Sequence, residues 1–432
     1  MALPLRTTLI GCGNRGQMFG SLCRKLPQKV RVTAVAEPRE DWLRLEAQKN
    51  GVPPEHAYPS YEGALGSGSP EADLVIIAAD DRVHYPATML ALKKGCRILL
   101  EKPVAQTPTE TVHMARVAQE LGLPVAVQHE LRYSPFFQAV YDIVRSGRLG
   151  QVYSYTHTEH VAYWHQAHSF VRGHFGDVSS SNAMILAKSC HDLDLIPWIL
   201  DDQVTRVASF GRLDHYTPQN RPGGAPDRCT DGCPVADTCI HNAATFYLGP
   251  RTDWPVAMID ADMSPEARRA RLAAGPYSRC VYGGYNDAVD HQSVMMETAR
   301  GTICTFTMHG FSAQEECGRK IRLDGTAGTL RGDMGRGQIM VYEHVSAPFG
   351  TEVEPEVVEL GDRGGHGGGD DILFRHVIDY FTGSDDAPLA TLQNAVESHL
   401  SGWAAEESRL EGRVVMMDEF RRRAQAASEE LD

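Results

Sequence analysis

Two short stretches of this chain carry residue types at spacings that chemistry requires. The first is Gly11-Cys12-Gly13-Asn14-Arg15-Gly16, a G-x-G-x-x-G run between a short apolar segment, Leu5 to Ile10, and a helical pattern. In such a run the first glycine makes a tight turn and the second lets the backbone approach a pyrophosphate. The third lets the helix pack closely on the strand, and the helix N-terminus turns its free N–H groups toward the phosphates. Glu37 closes the second strand-like segment about 20 residues further on, where a carboxylate accepts both ribose hydroxyls and repels a 2′-phosphate. This predicts NAD, with Arg39 as the one nearby group able to clamp the phosphate of NADP instead. The second stretch is Arg97-Ile-Leu-Leu-Glu101-Lys102-Pro103. It places Glu101 and Lys102 just past the carboxyl end of a strand, where open α/β sheets bind ligands. An ammonium there polarises a substrate oxygen and stabilises alkoxide charge.

A third region is rich rather than patterned. Residues 151–191 hold His157, His160, His165, His168, His174 and His191, together with Tyr163, Trp164 and Arg172. Aromatic rings stack on a sugar ring while histidines and an arginine hold hydroxyls or an anionic substituent. A single histidine is more often a surface or core residue than a ligand. His165, His168 and Arg172 are the members expected at substrate, ahead of His157 and His174. Tyr133 and Arg132 either line the same cleft or fix a hinge. Asp194 is expected to orient its helix, and the role of the polar run Asn286, Asp287, Asp290 and His291 is open.

The elements that must position these groups are legible from periodicity. Strand-like segments at Leu5 to Ile10, Val30 to Ala36, Asp73 to Ala79, Arg97 to Leu100 and Val125 to Val127 alternate with helical spacing at Gln17 to Leu26, Arg39 to Asn50, Tyr85 to Lys94 and Thr109 to Leu121. That alternation implies βαβ units and a doubly wound parallel sheet, predicted for residues 1–128. Over residues 129–432 helices at Pro135 to Ser146, Ala183 to Leu200, Asp371 to Phe381 and Gln393 to Leu410 mix with longer strand-like stretches. These predict an α+β domain with a large, mostly antiparallel open sheet. Thr217 to Thr238 and the glycine-rich Arg363 to Gly369 read as irregular, and the tail after Asp418 as a charged, frayed helix end.

Composition narrows the class. The chain has 432 residues, 42% hydrophobic and 23% charged, with a formal charge of -14. Its length allows two or three domains, and its acidity argues against nucleic acid or an anionic membrane as partner. No apolar run reaches the ~18–20 residues of a membrane helix, and the first residues lack a signal-peptide core. A soluble cytoplasmic protein is expected.

Taken together the glycine fingerprint, Val75 to His84, Glu101-Lys102-Pro103, Arg132-Tyr-Ser-Pro135, the helix bearing His191 and Asp194, and Ser398-His399-Leu400 resemble the Gfo/Idh/MocA family, the glucose-fructose oxidoreductase and inositol dehydrogenase group. The resemblance implies a Rossmann domain, a C-terminal domain whose open sheet mediates a dimer or tetramer, and a tightly held NAD. It extends the nucleotide site to Ala79, His84, Glu101 and Lys102, and implies oxidation or reduction of a sugar or cyclitol hydroxyl. It makes Lys102 the catalytic lysine and His191 the catalytic histidine. Many members carry Asp four residues before that histidine, but here the position is Ala187, followed by Lys188. On a continuous helix Lys188 and His191 are i, i+3 neighbours, so Lys188 is a further catalytic or substrate-binding candidate. Relatives of the family use NAD catalytically to cleave glycosides, by oxidation at C3, elimination, water addition and re-reduction. Such a cycle on an anionic sugar, as in the sulfoquinovosidases, is the alternative, and a non-catalytic dinucleotide sensor is another.

Cys229-x3-Cys233-x5-Cys239, with His241 and Cys280, offers soft ligands for one zinc ion, although the spacing is unlike the paired CxxC of common zinc sites. A reduced, packed loop is the competing reading, and neither a catalytic nor any other metal is assigned from sequence.

Overall fold

The computed structural model describes residues 3–346, 348–360 and 365–431. Among the described residues, fifteen strands fall into two sheets. The first holds β1 (Leu5–Ile10), β2 (Val30–Ala36), β3 (Ala57–Tyr58), β4 (Leu74–Ile77), β5 (Arg97–Leu100) and β6 (Val125–Val127), in the order β3-β2-β1-β4-β5-β6. The recorded pairings in it are parallel, with Leu9 opposite Val35 on one side and Ile76 on the other. Leu74, Val75, Ile76 and Ile77 are all fully buried, as expected of a strand covered on both faces.

The second sheet holds β7 (Val152–Ala162), β8 (Val204–Arg212), β9 (His291–Thr298), β10 (Ile303–Ser312), β11 (Gly318–Gly325), β12 (Gly328–Asp333), β13 (Gln338–Glu343), β14 (Glu356–Glu359) and β15 (Val415–Met416). Its order is β14-β13-β12-β11-β7-β10-β9-β8-β15, and the recorded pairings are antiparallel. Alternation along β9 and β10 buries Val294, Met296, Cys304, Phe306 and Met308 on one face. The α/β class, with a Rossmann-type parallel sheet and a large antiparallel sheet, is as the sequence predicts. No described helix is long and apolar enough to cross a membrane.

Contacts group the chain into two compact units. One comprises Met1–Cys96, Ala162–Met184 and Arg212–Asp290; the other comprises Arg97–Val161, Ile185–Gly211 and His291–Asp432.

Three local expectations need correction. The helix predicted over Ala183 to Leu200 is two pieces, Met184–Ala187 and Cys190–Leu200, with Lys188 and Ser189 between them. The i, i+3 relation of Lys188 to His191 therefore fails. The tail is a well-formed helix, Met417–Glu429, because Met417, Phe420, Ala424 and Ser428 form a buried stripe within a charged sequence. It packs on helix Pro108–Glu120. Strands β12 and β14 were not expected, since Gly328 and Gly332 mask the alternation in one and Glu356 and Glu359 bound the short apolar pair of the other. Of the glycine-rich stretch, residues 363 and 364 lie outside the described residues, and Gly365–Gly368 form a single turn.

Helix Leu392–Glu411 starts with Thr391 and Asn394 exchanging side-chain and backbone hydrogen bonds. At Gly402 a Cβ would lie 2.7 Å from Leu186 Cδ2 and 3.3 Å from Leu193 Cδ1. The glycine lets this helix close on the segment that carries His191.

Candidate active site

In the first unit, β1 runs into Gly11 at φ +90°, where a Cβ would lie 2.4 Å from the Ala78 carbonyl oxygen and 2.6 Å from Ala79 N. At Gly16 a Cβ would sit 1.8 Å from Gly11 O. Only glycine permits either approach, so the turn, the start of helix Asn14–Lys25 and the end of β4 lie against one another. Gly13 makes no side-chain cap, which leaves the first-turn N–H groups open to an anion. Asn14 is exposed and the Arg15 guanidinium lies 5.6 Å from the Phe19 ring centre.

Glu37 is buried and accepts the Cys12 N–H at 2.9 Å, with Arg39 Nε at 2.6 Å and Arg39 Nη2 at 3.1 Å. Burial opposes its ionisation, but the Arg39 and backbone hydrogen bonds outweigh burial and hold the carboxyl below its usual range. Arg39 in turn lies 4.6 Å over the Trp42 ring. His84 is buried in helix Asp81–Lys93, whose Asp81 accepts the Asn182 side chain at 2.7 Å. Glycine cradle, uncapped helix N-terminus and buried carboxylate together fit the diphosphate and adenosine ribose of NAD.

The second unit gathers the groups with acid–base character. Lys102 follows β5, beside the buried Glu101, and donates from Nζ to the Ala187 carbonyl at 3.0 Å. His191 opens helix Cys190–Leu200 and is 3% exposed. Its Nε2 lies 3.5 Å from Glu130 Oε1, and the same oxygen is 3.1 Å from His366 Nδ1. His366 Nδ1 also meets Asp370 Oδ2 at 2.9 Å. The ring of His129 stands edge-on to His191 at 5.7 Å.

Burial, reinforced by the charge of Lys102 and by His129, holds His191 well below an ordinary imidazole. Burial likewise lowers His129 to about 4, against the pull of Asp194. Both rings are neutral at pH 7, so each can accept a proton.

Glu130 belongs to the single turn Glu130–Tyr133 after β6. That turn is anchored by Arg132, which grips Asp194 at 2.6 and 2.7 Å and donates to Leu389 O at 2.7 Å. The Tyr133 hydroxyl accepts the Leu389 N–H at 2.8 Å, and burial raises that hydroxyl to about 12. Tyr133, Arg132 and Asp194 thus fix backbone. Gly369 completes the arrangement, since a Cβ there would lie 2.1 Å from Glu130 O. The glycines seat the turn bearing His366 directly on Glu130.

Lys188 does not join His191 along a helix. Its Nζ meets Glu159 Oε1 at 3.0 Å, and Glu159 Oε2 meets Arg319 at 3.2 Å. Arg319 clamps Asp192 at 2.6 and 3.1 Å, and His157 Nε2 approaches the same carboxylate at 2.8 Å.

The histidine-rich stretch is divided between the units. His157, His160 and His191 belong to the second, and His165, His168 and His174 to the first. His168 Nδ1 pairs with the Tyr247 hydroxyl at 2.8 Å and its ring stacks on Tyr277. Arg172 donates to Arg279 O at 2.8 Å and His241 O at 2.6 Å. His165 lies between Trp164 and Trp254 with ring centres at 5.7 and 5.0 Å. Asp290 accepts the N–H groups of Asp214, His215 and Tyr216, which gives it a structural task.

Sequence reasoning missed Glu130, His129, His366 and Asp370. Its one available signal was a lone histidine inside the glycine run at residues 363–369.

Residues 5–129 match the model of an oxidoreductase family with an NAD-binding Rossmann fold, and residues 137–331 that of the GFO/IDH/MocA C-terminal domain. The chain is 23% identical over 346 residues to a putative oxidoreductase, YteT, of Bacillus subtilis (strain 168), covering 77% of each chain. It is 28% identical over 150 residues to D-glucoside 3-dehydrogenase of Escherichia coli (strain K12), covering 35% of this chain and 42% of that one. Among solved structures, a levoglucosan dehydrogenase in complex with NADH and levoglucosan superposes with a TM-score of 0.69 at 15% identity, covering 96% of this chain and 99% of the other.

Proposed function

Because the chain belongs to the GFO/IDH/MocA family of NAD-binding oxidoreductases, we propose that it oxidises a secondary hydroxyl of a sugar or glycoside, with Lys102 and His191 as the acting groups. NAD, when bound, supplies the hydride acceptor. The observation that carries the reading is the His191–Glu130 pair: a buried, neutral imidazole with a carboxyl 3.5 Å from Nε2. His191 takes the hydroxyl proton, and Glu130 stabilises the imidazolium, the task left without a carboxylate at Ala187. Lys102 holds the substrate oxygen and offsets its alkoxide charge. The names of the glucoside and levoglucosan dehydrogenases support a sugar hydroxyl.

NADH formation with a panel of sugars, methyl glycosides and cyclitols tests this. The reading expects turnover with at least one, abolished in His191→Ala and in Lys102→Ala. No turnover with any, in protein that binds NAD, overturns it.

A second reading draws on His366. Two imidazoles on one carboxyl provide the additional acid and base that a redox-neutral glycosidase cycle needs. Aryl glycosides with catalytic NAD separate the readings, since aglycone release without net NADH belongs to the glycosidase alone. A homo-oligomer is also proposed. Tyr153, Phe210, Met295 and Phe311 on β7–β10 are exposed, Phe210 by 80%, and a second copy would cover them. Light scattering that gives a monomer mass at micromolar concentration removes that assignment. The ten free cysteines fit a reducing compartment such as the cytosol.

A further inference from the structure

The acid–base cluster leaves a separate set of soft ligands in the first unit unexplained. Cys229 and Cys280 stand diagonally across an antiparallel bridge, Arg228 to Arg279. In it Cys229 N donates to Ser278 O and Cys280 N to Asp227 O, both at 2.8 Å. Cys233 and Cys239 come from the next turns, where Cys239 N donates to Val235 O at 2.9 Å and Asn242 Nδ2 ties back to Ala236 O at 2.8 Å. All four are free thiols, and all four line one small hollow of about 20 Å³.

Two further groups face that hollow. His241 is 4% exposed, and neither ring nitrogen has a hydrogen-bond partner. Arg172 Nη2 donates to Cys229 Sγ at 3.5 Å. A buried imidazole left without a hydrogen-bond partner is unfavourable in a loop that merely packs its thiols. Four thiols, a buried imidazole lacking a partner and a guanidinium around a cavity instead describe a receptor for a soft, thiolate-bound centre.

The spacing selects the kind. Zinc holds thiolates at about 2.3 Å, which places the sulfurs of a tetrahedral site about 3.8 Å apart. Among the described residues, only His129, Cys190 and His191, and Glu130, His366 and Asp370, bring three ligand atoms within 4.8 Å of one another. The four cysteines stand wider than one ion requires. We propose that Cys229, Cys233, Cys239 and Cys280 hold an iron–sulfur cluster that clamps the loop of residues 217–290. A four-iron cluster takes four thiolates, and its inorganic sulfides spread them apart around the cavity. Binding releases four thiol protons to solvent and involves no net electron transfer. Arg172 offsets the negative charge, and His241 donates N–H to a cluster or cysteine sulfur.

The test uses the full chain purified without oxygen and, in parallel, reconstituted without oxygen with ferrous and ferric iron in equal amounts and sulfide, so that the mixed-valence cluster forms with no net electron transfer. About four iron and four acid-labile sulfide per chain are expected, with an absorbance shoulder near ~400 nm. Cys233→Ser and Cys239→Ser, both in surface turns, should lose at least half of each while far-UV circular dichroism stays unchanged. Cys317→Ser in the second unit is the control and should keep the full load. Iron retained equally in all variants marks it as adventitious and overturns the proposal. One zinc per chain that depends on the same cysteines overturns the cluster. Metal-free protein whose four thiols all react with a disulfide reagent overturns the site itself.

Discussion

Acidification to pH 5.5 should destabilise this chain well before its carboxylates respond. His129, His168, His191 and His399 are buried and neutral: burial lowers His129 to about 4 and His168 and His399 to about 3, and holds His191 well below its ordinary value. Unfolded, each returns to about 6.5. The folded values are the depressed ones, so the unfolded chain binds more protons and stability falls as pH drops through 6.5. Between pH 7 and 5.5 each imidazole removes about 1.2 kcal/mol, and the four together about 5 kcal/mol. Because every folded value lies far below the window, the sum depends on the unfolded value alone.

Carboxylates with lowered values, such as Glu37, Asp192 and Asp194, stay ionised in both states here. Glu46, raised by burial, opposes the trend by one proton at most. Potentiometric difference titration of folded and urea-unfolded protein at pH 5.5 should count an uptake of about three to four protons per chain on unfolding. His399→Gln should lower it by about one, since the His399 ring is fixed between Val104 N and Ala395 O. An uptake of one proton or fewer would refute the reasoning.

Other expectations are briefer. Glu130→Gln should reduce kcat about 100-fold with KM little changed, measured by steady-state NADH formation, and a raised KM with kcat unchanged would place Glu130 in binding instead. Arg319→Met should cost about 3–5 kcal/mol in urea unfolding, because Asp192 and Glu159 are left buried without their partner. Adding Asp192→Asn should recover part of that loss, and full additivity of the two changes would contradict the pairing. Gly16→Ala should weaken NAD at least about tenfold by fluorescence titration, as its Cβ falls 1.8 Å from Gly11 O. Unchanged affinity would show that the turn can shift.

Where placement follows local pattern, the sequence was sufficient. The fingerprint at Gly11, Gly13 and Gly16, the acidic residue at Glu37 and the strand before Lys102 are read from neighbours a few residues apart, and the structure places each accordingly. The site around His191 is of another kind. Its carboxyl partner lies 61 positions upstream in Glu130, and the second imidazole, His366, arrives from a glycine turn that periodicity treats as filler. The i, i+3 relation of Lys188 to His191 fails for a related reason: a helical repeat cannot show that the helix breaks at Lys188 and Ser189. His168 and Arg172 look like ligands by type, yet their polar atoms meet Tyr247 and backbone carbonyls.

The network joining Lys188, Glu159, Arg319 and Asp192 is a chain in which two cations alternate with two anions. Such a block is electroneutral, so it projects little field beyond its own walls. On the proposed function, the acid–base cluster of the second unit sets the Lys102 ammonium against the Glu130 carboxyl, and that pairing predicts an uncharged polyol as substrate rather than a sulfonated or carboxylated sugar.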